Sequence, residues 1–383
     1  VEHANSLSSE LLARVRSRAA GYDERNEFFA DDLDELRRAG YLLPRGLERA
    51  SNDQRLLAAH APATALGLTM HLVWMGVARD LAAGGDDSIA WVLDDIEAGE
   101  VFAFALSEAG NDAVMTDSTT RVERVDAAHG RGGWSFSGTK IMTTLSPAWT
   151  RLGVLGRYER PGAGAQIVHG FLARDAAGAL PAGVEIVPDW NALGMRATQS
   201  FTTKLDGAIV SDERVSRILP TGPQRDRFLL AISANFHSLI ASVYAGIADR
   251  ALELAVESAQ RRTRLSAEGA PYAHDPDTRR MLASAALELD ALTPQLVAVA
   301  RDVDAGVDRG DRWQRDLVGL KHRAVETARR VVDVAMRASG GGAYRADGEL
   351  ARLQRDVLAG IYHPSDTEAA HAAVAAHLLG PLP

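Results

Sequence analysis

The stretch SGGGAYRADGELARLQRDVLAGIYHPSD, Ser339 to Asp366, decides how the rest of the chain is read. Gly340, Gly341 and Gly342 close a long helical pattern, and glycine lets a backbone approach whatever faces it. An arginine-rich helix with Arg352, Arg355 and Asp356 follows, able to tie helices together or to meet a phosphate. It runs into Ile361-Tyr362-His363-Pro364, an aromatic ring and an imidazole set against a helix-breaking proline. Such a pair suits the rim of a reaction site.

Immediately upstream, Trp313 to Ala338 steps by three and four through Leu317, Leu320, Ala324, Ala328, Val331, Ala335 and Ala338, the period of an amphipathic helix. Phe228 to Arg262 reads as one long helix or two, and Pro276 to Asp304 as another, broken or started near Pro294. Glu349 to Tyr362 and Thr367 to Leu379 read as shorter helices. Four long helices joined by polar loops suggest an up-and-down bundle over residues 216–383.

Before Pro220 the period is two. Val101 to Leu106, Arg121 to Ala127, Trp134 to Gly138, Leu152 to Tyr158, Gln166 to Ala173 and Ser200 to Val210 are short strands between Gly, Asp and Pro turns. They indicate a small antiparallel barrel or sandwich over 101–215. Residues 1–100 read as all-helical. Leu11, Val15, Ala19 and Tyr22 share one face; Phe28, Leu33, Leu36 and Ala39 share the next; Pro62 to Leu81 is an apolar helix carrying His71. The fold class is therefore mainly α with a small central β-domain.

Composition narrows the function. With 383 residues and 46% of them apolar, two or three domains can be filled. A formal charge of −9 argues against nucleic acid as the main partner. The absence of cysteine excludes disulfides, thiolate metal sites and cysteine nucleophiles, and no metal site is expected. No apolar run reads as a membrane span, and the first residues lack a signal-peptide core. The expectation is a cytoplasmic protein with no membrane partner.

The order of domains resembles the acyl-CoA dehydrogenase superfamily, and local motifs agree. Phe104-Ala105-Leu106-Ser107-Glu108 with Gly110-Asn111-Asp112 is similar to the family's Thr-Glu-Pro-Gly-x-Gly-Ser-Asp segment, shortened and without the proline. Ser137 to Thr144 (SGTKIMTT) resembles its Gly-x-Lys-x-(Trp/Phe)-Ile-Thr strand, and Leu193 to Ser200 (LGMRATQS) its Gly-x-Arg turn. Ser339 to Asp356 resembles its Gly-Gly-x-Gly-Tyr…Arg-x-x-Arg-Asp ending.

The resemblance implies a flavin, FAD or FMN, as cofactor and a dimer or tetramer as assembly. It assigns Leu106 and Ser107 to the pyrimidine edge of the ring system and Met142 and Thr144 to the strand beside it. It assigns Arg261 and the backbone at Gly340 and Gly341 to a flavin held across a subunit interface, and Ser365 as a hydroxyl donor. Alternatively, Arg261 is a solvated helix end and the glycines a plain helix stop.

One departure steers the function. Most of the family carries a carboxylate base in a Tyr-Glu-Gly-Thr sequence; here Tyr362-His363-Pro364-Ser365 stands there. A second lineage puts the base where this chain has Phe236-His237. A histidine at 363 resembles the reduced-flavin monooxygenases of the same fold, which take flavin from a separate reductase. This favours oxidation of a small aromatic or polycyclic substrate with O₂, with His363, and His71 facing the same cavity, as catalytic residues. An acyl-thioester α,β-dehydrogenase with an unusual base is the alternative, and a degenerate paralogue the second. His363 could equally cap a helix, and His71 could be a core histidine. Lastly, Arg45 to Asp53 reads as a contracted form of the Gly-rich loop relatives carry before the His71 segment.

Overall fold

The computed structural model describes residues 7–126 and 132–380; the end of the second expected strand at Ala127 and the first six residues lie outside them. Helices α1 (Ser9–Arg25), α2 (Ala30–Arg38), α3 (Leu47–Ala58), α4 (Pro62–Ala83) and α5 (Trp91–Glu97) form the first region. Ser8 caps α1 through Leu11 N–H, and Asn26 ends it in the left-handed region. Residues expected as a contracted loop are instead mostly α3. Leu47, Ala50, Gln54, Leu57 and Ala58 form its buried face, an apolar stripe that its polar composition conceals.

Strands β1 (Phe102–Ala105), β2 (Arg121–Val125), β3 (Gly133–Thr143), β4 (Arg151–Tyr158), β5 (Gln166–Ala173), β6 (Val184–Val187), β7 (Phe201–Ser211) and β8 (Val215–Pro220) form one sheet among the described residues. The order is β6-β7-β3-β2-β4-β5-β8, so the pairing path stays open rather than closing into a barrel. Most pairs are antiparallel. The exceptions are on β4, whose first half pairs with β1 and whose last residues pair with β2, both in parallel. β3 is long enough to need two register shifts against β7, one of them between Lys140 and Thr143.

Helix α6 (Arg227–Arg261) is unbroken over 35 residues and is the spine of the third region. It packs on α3, α4 and α9 (Arg312–Ser339), and small residues permit the approach. A Cβ on Gly76 would lie 1.8 Å from Asn235 Oδ1, and one on Gly246 2.2 Å from the Arg55 carbonyl. The helix expected over Pro276 to Asp304 is broken next to Pro294, into α7 (Pro276–Asp290) and α8 (Thr293–Asp304). α10 (Glu349–Val357) ends in a 3₁₀ turn at Leu358–Ile361, and α11 (Thr367–Leu379) follows. By length and hydropathy α6 and the span 276–304 could each cross a membrane, contrary to the sequence reading; α6 meets its apolarity by packing, with 78% of its apolar window buried.

The first region docks on the sheet through aromatic rings. Trp74 of α4 lies 4.6 Å, centroid to centroid, from both Phe104 and Phe171, and its indole N–H donates to the Ala103 carbonyl at 3.1 Å. This contact fixes where β1 ends and therefore where Leu106 and Ser107 lie.

Candidate active site

Leaving β1, the chain passes Leu106 and Ser107 and buries Glu108. Lys140 Nζ donates to the Glu108 carboxylate at 2.6 Å, Thr120 Oγ1 at 2.6 Å, Ser118 Oγ at 2.7 Å, and the backbone N–H groups of Thr119 and Thr120 at 2.7 and 3.0 Å. Burial alone would raise this carboxyl, but the ammonium and the hydroxyl donors outweigh it and hold it below the usual carboxylate range. Burial pushes Lys140 down to about 8, opposed by Glu108. The pair ties the exit of β1 to β3, and Ile141 N–H closes the junction on the Ser107 carbonyl at 2.9 Å.

Met142 follows with φ 54° and a side chain about half exposed, beside the bulge in β3. Thr144 Oγ1 lies 2.9 Å from Ser200 Oγ, which lies 2.8 Å from Thr198 Oγ1, and that hydroxyl donates to the Met195 carbonyl at 2.9 Å. Met195 N–H in turn donates to Asp356 of α10 at 2.5 Å. Gly194 lies flat on α10; a Cβ there would sit 2.4 Å from the Arg355 carbonyl, so only glycine fits. Arg196 donates to the Asp23 carbonyl at 2.7 Å, and Arg355 pairs with the Asp23 carboxylate. The turn Leu193–Ser200 is thereby clamped between the sheet, α1 and α10.

The helical side is differently built. His363 lies with its ring 5.9 Å from that of Tyr244 on α6. Its Nε2, the Tyr244 hydroxyl, the Ser238 hydroxyl and the His237 Nε2 are buried and have no hydrogen-bond partner among the described residues. Unpartnered buried atoms also occur on the sheet, at Thr143, His169 and Thr203, so it is the imidazole of His363 beside the Tyr244 phenol that makes this end of the bundle a candidate site. His237 Nδ1 lies 2.7 Å from the Ser233 carbonyl and must carry the proton there, leaving Nε2 as an acceptor. Burial, and then the Lys321 ammonium, push His363 down to about 3; burial pushes His237 down to about 4. Both rings are neutral imidazoles near neutral pH. Burial pushes Asp356 up to about 6, with Met195 N–H opposing.

His71 does not join them. Its Nε2 lies 2.9 Å from the Leu42 carbonyl and its Nδ1 accepts from Phe102 N–H at 3.2 Å, so one nitrogen ties α4 to the connection between α2 and α3 and the other ties it to β1. It is a core histidine, with none of its polar atoms left for a substrate.

Arg261 sits exposed on the last turn of α6, and Gly340 and Gly341 follow α9. The two ends are joined by Arg262, whose guanidinium donates to the Ala338 carbonyl at 3.0 Å and would be 2.6 Å from a Cβ on Gly340. A Cβ on Gly341 would meet nothing within 4 Å. Twenty-four residues separate His237 from Arg261 on one straight helix, about 36 Å at the α-helical rise. Of the expected site residues on the bundle, His363 and Ser365 thus lie toward one end and Arg261, Gly340 and Gly341 toward the other, while Leu106, Ser107, Met142 and Thr144 lie on or beside the sheet. Ser365 belongs to the His363 set through its carbonyl, bound by Lys321 at 2.7 Å.

A groove of about 470 Å³ lies elsewhere, between α9 and α11, lined by His322, Glu326, Arg330 and Glu368 among others. Two of its arginines already meet carboxylates: Arg329 with Glu326 and Arg330 with Glu288. Sequence reading missed the Glu108–Lys140 pair, Tyr244 and Lys321. Only the motif positions of Glu108 and Lys140 gave any sign of them.

Comparison with known proteins bears on the fold. Residues 238–366 match the family model for the acyl-CoA dehydrogenase C-terminal domain. The chain is 29% identical to YdbM of Bacillus subtilis (strain 168), assigned provisionally to the acyl-CoA dehydrogenases, over 90% of this chain and 88% of that one. It is 31% identical to the amino sugar nitrososynthase RubN8 of Streptomyces rubradiris over 61% of this chain and 54% of that one. Among solved structures, KijD3 in complex with FMN and a dTDP-linked amino sugar superposes with TM-score 0.83 at 23% identity, covering 98% of this chain and 92% of that one. FMN-bound TdsC from Paenibacillus sp. A11-2 gives 0.82 at 18% over 98% and 96%, and butyryl-CoA dehydrogenase from Megasphaera elsdenii gives 0.81 at 17% over 98% and 100%. The whole chain therefore has the fold of the acyl-CoA dehydrogenases, and its residues 238–366 match the model of that family's C-terminal domain.

Proposed function

We propose that the chain is a flavin-dependent oxidoreductase of monooxygenase type, with the flavin along Leu106–Ser107 and Met142–Thr144 and a small substrate against His237, Tyr244 and His363. The residues fit such a group. Met142 offers an exposed apolar face, Thr144 a hydroxyl held in a chain, and the opposite wall carries buried polar atoms lacking partners. Bound flavin would supply two-electron chemistry, including activation of O₂ when reduced; FAD and FMN both fit this reading, since KijD3 and TdsC hold FMN.

The chain's own groups then have separable tasks. Glu108 and Lys140 hold the Ser107 exit against β3, so the ring-binding edge does not shift. Thr144 donates or accepts one hydrogen bond at the ring edge. His363, neutral and shielded, offers one hydrogen bond at the oxygen being transferred or at the substrate without placing a fixed charge there.

One observation carries this preference for oxygen chemistry over thioester desaturation. Both places where the family resemblance expects a carboxylate base hold imidazoles, His363 and His237. Nearby acids are otherwise engaged or displaced: Asp356 accepts from Met195 N–H, and Glu368 lies exposed on the outer groove. The nitrososynthase and TdsC likenesses favour the same reading, with an aromatic, polycyclic or amino-sugar substrate. The separation of Arg261 and Gly341 from His363 favours a dimer or tetramer, in which one subunit's phosphate-binding end serves its neighbour's ring site.

The likeness to YdbM along most of both chains favours a second reading, an acyl-thioester dehydrogenase. One portion of purified protein is denatured to identify its flavin; a second, native portion loaded with oxidised flavin is mixed anaerobically with a panel of acyl-CoA thioesters before air is admitted. The proposal expects no bleaching by any thioester, and substrate-dependent O₂ uptake once reduced flavin is supplied. Bleaching by a thioester establishes the second reading.

A further inference from the structure

Lys321 lies in the middle of α9, 2% exposed. A buried ammonium ordinarily meets a carboxylate. Here Nζ donates to three backbone carbonyls instead: Gly360 at 3.0 Å, His363 at 2.8 Å and Ser365 at 2.7 Å. Three donors meet three acceptors, which saturates the ammonium. It also satisfies carbonyls left over where the 3₁₀ turn Leu358–Ile361 stops and α11 has not begun.

Little else fixes that segment. Residues 362–366 lie in no helix or strand, Pro364 has no N–H to give, and Tyr362 points outward at 74% exposure. The His363 Nε2 has no partner to aim it. Gly360 is pressed against both helices, where a Cβ would lie 2.7 Å from Val325 Cγ1 and 2.9 Å from Tyr244 Cε1. The segment therefore sits at close range to α6 and α9, with Lys321 as the side chain that gathers it.

We propose that Lys321 is the positioning residue of the His363 site: by binding the carbonyls of Gly360, His363 and Ser365 it sets the direction in which the imidazole faces Tyr244. This rests on the reading of His363 as the working imidazole, yet it concerns geometry that exists without flavin or substrate. The ammonium has a second effect of the same sense. It lies close enough to both His363 and His237 to disfavour the imidazolium form of each. Burial lowers Lys321 itself to about 8, with Asp366 and Glu326 opposing, so the ammonium persists at neutral pH.

The test uses the full chain as purified, with ¹⁵N-labelled histidine, comparing wild type with Lys321→Met. Ring-nitrogen NMR follows the His363 titration, and mass spectrometry follows amide exchange in residues 358–366. The expected result is a His363 titration moved up by at least one pH unit and exchange in that segment at least tenfold faster, with exchange across β1–β8 unchanged. Lys321→Arg keeps the charge but offers a planar fork in place of a compact ammonium. It is expected to leave the titration low and the segment loosened. If Lys321→Met does not fold, Lys321→Gln is read in the same way. An unchanged titration, or unchanged exchange beside a moved titration, overturns the proposal. His363→Ala with unaltered product yield would instead overturn the reading of His363 and leave the exchange result standing.

Discussion

The two regions proposed to enclose the site treat polar groups differently. On the sheet side, the buried Glu108 carboxylate is met by one ammonium, two hydroxyls, two backbone amides and the Asn111 side-chain amide. On the helical side, two imidazoles, a phenol and a serine hydroxyl are buried with atoms unspent. A saturated network makes a scaffold, because each member is held by the others. Polar atoms without partners keep their hydrogen-bonding capacity for a ligand. On the proposed reading, Glu108 and Lys140 hold the platform still and His363 meets the reacting groups.

Breaking the saturated side should cost the most. Lys140→Met strands the Glu108 carboxylate and is expected to destabilise by about 3–5 kcal/mol; Glu108→Gln in the same background should recover part of this. Urea unfolding measures both, and a loss below about 1 kcal/mol would mean that Glu108 finds another partner.

Acid sharpens the contrast. His71, His169, His237 and His363 are held neutral, with folded values of about 4, 3, 4 and 3 against 6.5. Their contribution is fully present above pH 6.5 and is lost as pH falls towards the folded values. Asp32 and Asp356, raised to about 6, work in the opposite direction over the same range. Near pH 5 the unfolded chain holds about two more protons in net, so stability should fall by about 2–3 kcal/mol per pH unit. Denaturant titrations between pH 7 and 4.5 test this, and a flat profile would contradict the buried neutral imidazoles.

His71→Phe removes two buried hydrogen bonds from the scaffold side and should cost about 1–3 kcal/mol. Oxygen use per product formed should not change, which separates His71 from His363. Arg261→Ala should leave the unfolding transition within about 0.5 kcal/mol, as for an exposed side chain. It should weaken flavin retention about tenfold or more, the loss of one charge-assisted hydrogen bond. Equal retention in the variant would place the flavin phosphate elsewhere.

Much of the architecture was legible because it is periodic. The run from Leu317 to Ala338 steps along one helix face, and α9 spans it. Six of the eight strands were legible for the same reason, β6 and β8 were not, and four motifs in order pointed to the fold. What the sequence hid was long-range pairing. Glu108 and Lys140 stand 32 residues apart, and Lys321 and Ser365 stand 44 apart, so no local period announces either. α3 was hidden by its composition: LERASNDQRLLA is polar in letters, yet Gln54 is buried because its amide donates to the Ala65 carbonyl and Thr69, and its carbonyl accepts from Tyr41. His71 was misjudged because an apolar helix with one histidine looks the same whether the ring faces a ligand or a carbonyl.

Rapid mixing of protein-bound reduced flavin with oxygenated buffer, in wild type and His363→Ala, addresses the unsaturated wall most directly. The account predicts that hydrogen peroxide released per flavin reoxidised rises several-fold in the variant while product falls by about a hundredfold, the lower end expected for loss of a positioned proton donor or acceptor. Equal peroxide and equal product in the two proteins would contradict it.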